Sequence, residues 1–407
     1  MSCGCHIPFL EESRRAEWCR AFFPGGVNVK KVSFIALAVA LVMPGAALAA
    51  DGFTIKPRGR VLLDFTDIDY NLANLNTSNS GNEFRTARLG VFGKMGSRIK
   101  YVAEFDFVNG GDIKVHDPKA KDVKLSFKVN SNTSISFGNQ KTPNSLEEQT
   151  SGRFTTFLER GSVTDAFRLS RRVGIMVKTH GDNYSLAAGV FGNDMNAVLY
   201  GHEGLFSNEH SYAARGTFTP INNDRRTVHL GASVRRFSGN QGDQLRIRAR
   251  PRVHLAQRLV DARNQGKNST LFGLEAAYVS GPFHIEGEWM VEDALTSSNG
   301  YFVQAGWFLT GESRTYSVKK GAFGRIKPKH AVGDGGGGAW EVALRFDTLD
   351  LNNANAGKMN TWTAGLNWYP QSHTRVMLDV VHATARGLAK FGPGNTDSLQ
   401  MRLQYDW

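Results

Sequence analysis

The chain ends Leu399-Gln-Met401-Arg-Leu403-Gln-Tyr405-Asp-Trp407. Five large apolar residues fall at alternate positions, so an extended backbone carries all five on one face and polar residues on the other. An alternating strand that finishes on a terminal aromatic is the closing strand expected of an outer-membrane β-barrel. This constrains what lies upstream. In lipid every backbone N–H and C=O must be paired within the protein, and a sheet achieves that only by closing on itself.

The N-terminal region fits export. Lys30-Lys31 precede an apolar run from Phe34 to Met43, followed by Pro44-Gly-Ala-Ala-Leu-Ala-Ala50. A basic start, a short apolar core and a small-residue site at Ala47–Ala49 read as a secretory signal over 27–49. The run is too short for a membrane anchor. Cleavage after Ala49 or Ala50 leaves 50–407 as one mature barrel domain. Residues 1–26 do not fit the signal. They hold Cys3, Cys5, Cys19, Glu11, Glu12 and Glu17, whereas a signal begins near its basic residues. They read as an extension ahead of a true start at Val27 or Val29. The alternative is a genuine extension with Cys3 and Cys5 as a metal or redox pair, for which two cysteines without a second pair are thin support.

Without residues 1–49 the chain has no cysteine and keeps 44 Lys and Arg against 34 Asp and Glu. A basic exported protein points to anionic solutes or lipid phosphates, and export argues against nucleic acid. No apolar stretch of about 18 residues remains beyond the signal, so spans by helices are not expected.

Alternation recurs throughout. Ile99, Tyr101, Ala103, Phe105 and Phe107 oppose Lys100, Glu104 and Asp106. Val123, Leu125, Phe127 and Val129 oppose Lys124 and Lys128. Val173, Ile175 and Val177 oppose Arg172 and Lys178. Membrane strands need about 9–11 such residues. The pattern predicts an all-β, transmembrane antiparallel barrel of 16 strands: 53–65, 84–94, 99–108, 121–129, 132–139, 172–179, 183–191, 210–219, 226–237, 270–279, 282–292, 300–309, 339–347, 360–369, 374–383 and 397–407. Connections after odd strands should be long outer loops (66–83, 140–171, 192–209, 238–269) and those after even strands short periplasmic turns. Segment 310–338 breaks the rule. It follows strand twelve, yet it is long and carries Arg314, Lys319, Lys320, Arg325, Lys327, Lys329 and His330. Either two strands are missing from the count or a basic turn folds up into the barrel.

Two further basic segments stand out. In 238–269, Arg246, Arg248, Arg250 and Arg252 alternate with Ile247, Ala249 and Pro251. An extended chain puts the four guanidiniums on one side at about 6–7 Å intervals, a row that can pass an anion from site to site. A solvated outer loop touching lipopolysaccharide phosphates is the alternative. In 140–171, Lys141, Arg153, Arg160, Arg168 and Arg171 are partly balanced by Glu147, Glu148, Glu159 and Asp165.

The run Ser145-Leu-Glu147-Glu-Gln-Thr150-Ser151-Gly-Arg153-Phe-Thr-Thr156-Phe157-Leu-Glu159-Arg160 resembles the third-loop segment of the phosphate-selective porin O and P family. So do Leu309-Thr-Gly-Glu312-Ser-Arg314, Gly321-Ala-Phe323-Gly-Arg325-Ile-Lys327-Pro328, Ala339-Trp340-Glu341-Val-Ala-Leu-Arg345 and Gly365-Leu-Asn367-Trp368-Tyr369. The resemblance implies a homotrimeric outer-membrane porin whose third loop, fifth loop and one long periplasmic turn fold into the lumen. It implies an arginine ladder (Arg246, Arg248, Arg250, Arg252) leading to a constriction, with basic residues below. Constriction candidates are Lys141, Arg153, Arg160 and Arg171, with Arg85 and Arg88 from strand 84–94. The lower basic sink is Lys319, Lys320, Arg325 and Lys327.

The expected function is passive diffusion of phosphate, polyphosphate or related anions into the periplasm; the alternative is a general porin with weak anion preference. The expected surroundings are outer-membrane lipid and lipopolysaccharide. An enzyme is not expected. There is no Gly-x-Ser-x-Gly elbow and no mature cysteine, histidines are scattered singly, and zinc-type His spacing is absent, so neither cofactor nor metal is foreseen.

Overall fold

The computed structural model describes residues 48–50, 52–109, 111–115, 117–167, 170–200, 204, 209–239 and 245–407. The extension 1–26 and most of the signal 27–49 lie outside the described residues, as does Arg168.

Sixteen antiparallel strands form the barrel: β1 Phe53–Leu72, β2 Leu75–Met95, β3 Ile99–Asp106, β4 Lys119–Lys128, β5 Thr133–Lys141, β6 Arg171–His180, β7 Tyr184–Phe191, β8 Glu209–Asn222, β9 Arg226–Gly239, β10 Asn268–Ser280, β11 Phe283–Asp293, β12 Ser297–Phe308, β13 Ala339–Asp350, β14 Lys358–Gln371, β15 Thr374–Arg386 and β16 Gly394–Asp406. A short strand, Leu48–Ala50, pairs beside the base of β1. Each barrel strand pairs with its sequence neighbours, and β1 pairs with β16 from Arg60↔Asp406 to Leu72↔Gly394, closing the sheet.

The closing strand lies where its alternation predicts. Leu399, Leu403 and Tyr405 point outward and are exposed, while Gln400, Arg402, Gln404 and Asp406 are buried inside. Trp407 exchanges two backbone hydrogen bonds of 3.1 Å with Gly59. A Cβ at Gly59 would stand 2.2 Å from the Trp407 ring, so the seam needs glycine there. Among the described residues no helix is long and apolar enough to cross a membrane; crossing is by strands. Their outward residues include Phe127, Ile175, Leu274, Val303, Leu344 and Val380, with Trp289, Tyr301, Trp307 and Trp362 among the exposed aromatics. Such aromatics suit a membrane interface because one end of the ring system is apolar and the other wet.

One expectation is corrected. Residues 66–83 are not a loop: β1 and β2 run on to a tight turn at Ala73–Asn74. The inward positions continue unbroken through Ile68, Tyr70 and Leu72, which are buried, while Asp67, Asp69 and Asn71 face out. Polarity inverts along the strand because this end stands clear of lipid and packs inward against loop five. A rule written for lipid-facing alternation therefore stops too early.

Segment 310–338 costs the count no strands, since β12 and β13 pair directly, Asn299↔Asp350 to Phe308↔Glu341. The turn folds upward inside the barrel. Its small hairpin, Tyr316–Ser317 with Ala322–Phe323, touches the inner wall, where Arg215 donates 2.8 Å to the Gly321 carbonyl. Gly321 adopts φ +57 with Arg215, Ser185 and Thr217 crowding where a side chain would go.

Candidate functional site

Three inserts fill the lumen. Loop three (142–170) carries two short helices, Leu146–Gln149 and Ser162–Ala166. Ser145 caps the first, accepting from the Glu148 N–H at 3.0 Å. Loop five forms a hairpin, Ile247–Ala249 with Val260–Ala262. Ile247, Ala249, Val253, Leu259 and Val260 are buried in one apolar cluster with Ile68, Tyr70, Phe167, Phe302 and Leu349. That cluster fixes loop five against loop three and the wall.

With the apolar side of the hairpin buried, Arg246, Arg248 and Arg250 sit half-exposed on the other side. Arg246 at the rim is held bidentately by Asp261, with Nε 2.6 Å from Oδ1. Arg250 donates 2.9 Å to the Ala256 carbonyl. Arg258 stands close by; burial, and then the positive fields of Arg250 and Arg248, bring its pKa down to about 10. Arg252 corrects the ladder expectation. It follows Pro251, takes φ +60 and turns back, buried, to donate to the Arg160 and Arg250 carbonyls. It is a strut between loops three and five.

Arg250 and Arg252 line a cavity of about 260 Å³ together with Arg85, Glu159, Arg160 and His254. Arg85, Glu159 and Arg160 also line the central cavity, of about 300 Å³, so the two adjoin. All six constriction candidates, Lys141, Arg153, Arg160, Arg171, Arg85 and Arg88, line this central cavity. Strict alternation cannot aim Arg85 and Arg88 into one space. A bulge at Leu62/Leu63, where β1 and β2 slip register around Arg85, makes it possible.

Five further basic residues line the same space without having been named as site candidates: Arg58, Arg60, Lys124, Lys178 and Arg402. Lys124 and Lys178 stand in the alternating runs as polar-face residues, and Arg58 and Arg60 share the inward face of β1. The missing signal was strand phase relative to the lumen.

Of the lower sink, only Lys320 lines the central cavity. Arg325 bonds Asp406 and the Ser372 carbonyl, and Lys319 and Lys327 are exposed. The four therefore do not form one cluster, because the hairpin carries Lys320 up to mid-lumen while Arg325 is held at the barrel seam.

Carboxylates orient many of these cations. Arg85 grips Glu159 at 2.8 and 3.0 Å, Arg171 grips Asp122 at 3.1 Å twice, and Arg402 grips Asp64 at 2.6 Å twice. Burial raises the pKa of the Glu159 carboxyl, but Arg85, Arg402 and His254 outweigh it and hold the group well below the usual carboxylate range. It remains a fixed negative charge beside the cavity. Among the described residues, no three His, Cys, Asp or Glu side chains come together in a way that could hold a metal ion.

The model of the family described as phosphate-selective porin O and P matches residues 55–407. Porin O of Pseudomonas aeruginosa is 24% identical over 404 residues, covering 87% of this chain and 88% of its own length. An uncharacterised protein of Caulobacter vibrioides is 29% identical over 361 residues, covering 84% of this chain and 71% of that one. The anion-selective porin from Comamonas acidovorans superposes with a TM-score of 0.53 at 13% identity, over 87% of this chain and all of that one. OprB of Pseudomonas putida gives 0.56 at 7% identity, over 88% and 94%. The two structural likenesses are likenesses of fold. The match along nearly the whole barrel goes further: this chain belongs to the phosphate-selective porin O and P family of outer-membrane porins.

Proposed function

We propose that this porin passes phosphate and related anions down their gradient into the periplasm. One observation carries the reading: the central cavity is lined by twelve Lys and Arg side chains against three carboxylates, Glu104, Asp122 and Glu159. Protein walls of low dielectric strengthen such charges relative to bulk water. A guanidinium can meet a phosphate with two parallel hydrogen bonds. In this reading, the anion enters along Arg246, Arg248 and Arg250, crosses between Arg85 and Arg160, and reaches the central cavity. The fixed carboxylates limit how tightly it is held, and conduction requires that it can leave.

A second reading, a general diffusion porin with weak anion preference, draws support from the same carboxylates, since Arg85, Arg171 and Arg402 are each already paired bidentately. Single-channel recording decides. In chloride, added inorganic phosphate should block the current at submillimolar to millimolar levels under the first reading and leave it unchanged under the second.

We place the mature protein, from residue 50 or 51, as a homotrimer in the outer membrane with its apolar girdle against lipid and lipopolysaccharide. N-terminal sequencing of the exported protein checks the cleavage. Migration as a trimer in unheated SDS, collapsing to monomer on boiling, checks the assembly.

A further inference from the structure

Loop three crosses the pore with a bias in what its backbone meets: eight successive carbonyls, from Arg153 to Arg160, each accept a side-chain hydrogen bond, mostly from arginine. Arg314 reaches the Phe154 carbonyl at 3.4 Å. Arg375 spans two, Thr155 at 2.6 Å and Thr156 at 2.8 Å, and Asn367 adds a second donor on Thr156 at 2.9 Å. Arg402 holds Leu158 at 2.5 Å, Arg345 holds Glu159 at 2.9 Å, and Arg252 holds Arg160. Gln404 takes the Arg153 carbonyl at 3.2 Å, and the Thr155 hydroxyl takes that of Phe157 at 3.2 Å. The five arginines come from five separate elements: the long turn, β13, loop five, β15 and β16. All five are buried.

Holding a loop in place does not require this. Neutral donors could hold these carbonyls, and burying guanidiniums is costly even where Glu286, Glu147 and Asp64 pair with Arg314, Arg345 and Arg402. The arrangement does matter for charge. A carbonyl oxygen is electronegative, and a pore lined by carbonyls coordinates cations. Loop three crosses the lumen beside the central cavity, with Arg153 and Arg160 on the cavity side. Were its carbonyls turned inward, they would oppose those cations.

We infer that these buried arginines, Arg375 foremost, are positioning residues for ion selectivity: they draw the carbonyls of residues 153–160 away from the cavity, so that the pore meets the cationic side chains of that stretch without its backbone oxygens. Arg375 is 2% exposed and does not line the cavity, so it acts through the loop. The inference rests on the anion-selective reading above.

The test compares Arg375→Lys with Arg375→Gln. Lysine keeps the charge but cannot grip two carbonyls in a fixed fork. Zero-current potentials in a potassium chloride gradient give the anion-to-cation permeability ratio, and heat-modifiable migration in SDS reports the folded barrel. Both variants should fold, and both should lower the ratio by about fivefold, the scale of losing one hydrogen bond. Wild-type selectivity in Arg375→Lys with a loss only in Arg375→Gln would make the buried charge the cause and overturn the inference. Should Arg375→Lys fail to form the heat-modifiable barrel, Asn367→Leu decides instead. It removes a neutral donor from the Thr156 carbonyl, and the ratio should fall by about twofold; no change would overturn the inference. A wild-type pore without anion preference would overturn the function reading as well, whereas a selective wild type with unchanged variants sinks only this inference.

Discussion

The two halves of the inner wall are built from the same alternating strands and carry opposite charge. On β10, β11, β13 and β15 the charged inward residues are mainly acidic, Glu275, Glu286, Glu288, Glu292, Glu341, Asp347 and Asp379 against Arg345 and Arg375, all buried. The inserts supply partners for Glu286, Glu288, Asp347 and Asp379, while Glu275, Glu292 and Glu341 are met by neighbouring wall strands. Arg314 of the long turn meets Glu286 at 2.8 Å, the Leu158 N–H meets Asp379 at 2.9 Å and the Glu147 N–H meets Glu288 at 2.6 Å. On β1, β2, β3, β4 and β6 the charged residues lining the central cavity are mainly basic, Arg58, Arg60, Arg85, Arg88, Lys124, Arg171 and Lys178 against Glu104 and Asp122. The lesson is that the sign of the lumen follows from which wall is covered. Carboxylates are used to seat the inserts, and the cations are left facing the open space.

The hardest test of the covered half is Arg345→Ala. Arg345 lies between the Phe157 and Phe302 rings, at 4.6 and 5.1 Å, and pairs with Glu147 at 2.6 Å. Its loss leaves a buried carboxylate without its counter-ion, a defect worth about 3–5 kcal/mol. Loop three should come loose, the gel-shift temperature should drop and single-channel conductance should rise. Wild-type values for both would mean that the loop is seated by something else.

Next in size is a contrast between the halves. Lys124→Glu with Lys178→Glu, in the open half, should cut the anion-to-cation ratio on the order of tenfold or reverse it, since charges in a narrow low-dielectric space act strongly. Glu286→Gln, in the covered half, should leave the ratio near wild type and lower the gel-shift temperature. Equal effects on selectivity would erase the distinction between the walls.

A smaller effect is expected along loop five. Arg250→Ala should raise the half-blocking phosphate concentration by about threefold, and Arg246→Ala by less, because Arg246 is already engaged by Asp261 near solvent and such pairs count for little. The reverse ranking would put the productive contact at the rim. Smallest of all is the difference within the long turn. Lys320→Cys, at the central cavity, should lose more current to a charged thiol reagent added from outside than Lys327→Cys. Modification of both from the periplasmic side alone would mean that the turn hangs below the barrel.

The strands were legible because lipid on one side and water on the other force alternation, and all sixteen are where that pattern puts them. Legibility ended where lipid ended. Ile68, Tyr70 and Leu72 are apolar on the inside and escaped a rule that looks for apolar outside. Parity of connector lengths gave the lumenal turn, since a long segment in a short-turn position has somewhere unusual to go. The cavity was half legible. Arg85, Arg88, Lys141, Arg153, Arg160 and Arg171 were named, but Arg58, Arg60, Lys124 and Lys178 needed the phase of each strand relative to the pore. Arg345 and Arg375 could not be separated from pore residues at all, because an inward arginine reads the same whether an insert covers it or not.

The zero-current potential of the wild-type pore in a potassium chloride gradient tests the sorting of charge most directly. If the open wall carries the excess of cations and the carboxylates are covered, chloride should dominate and the potential should take the sign of an anion-selective pore, shrinking as salt rises and screening grows. A potential of the opposite sign, or none, would mean that the buried carboxylates of the covered wall are felt in the lumen, and the account of the two walls would be wrong.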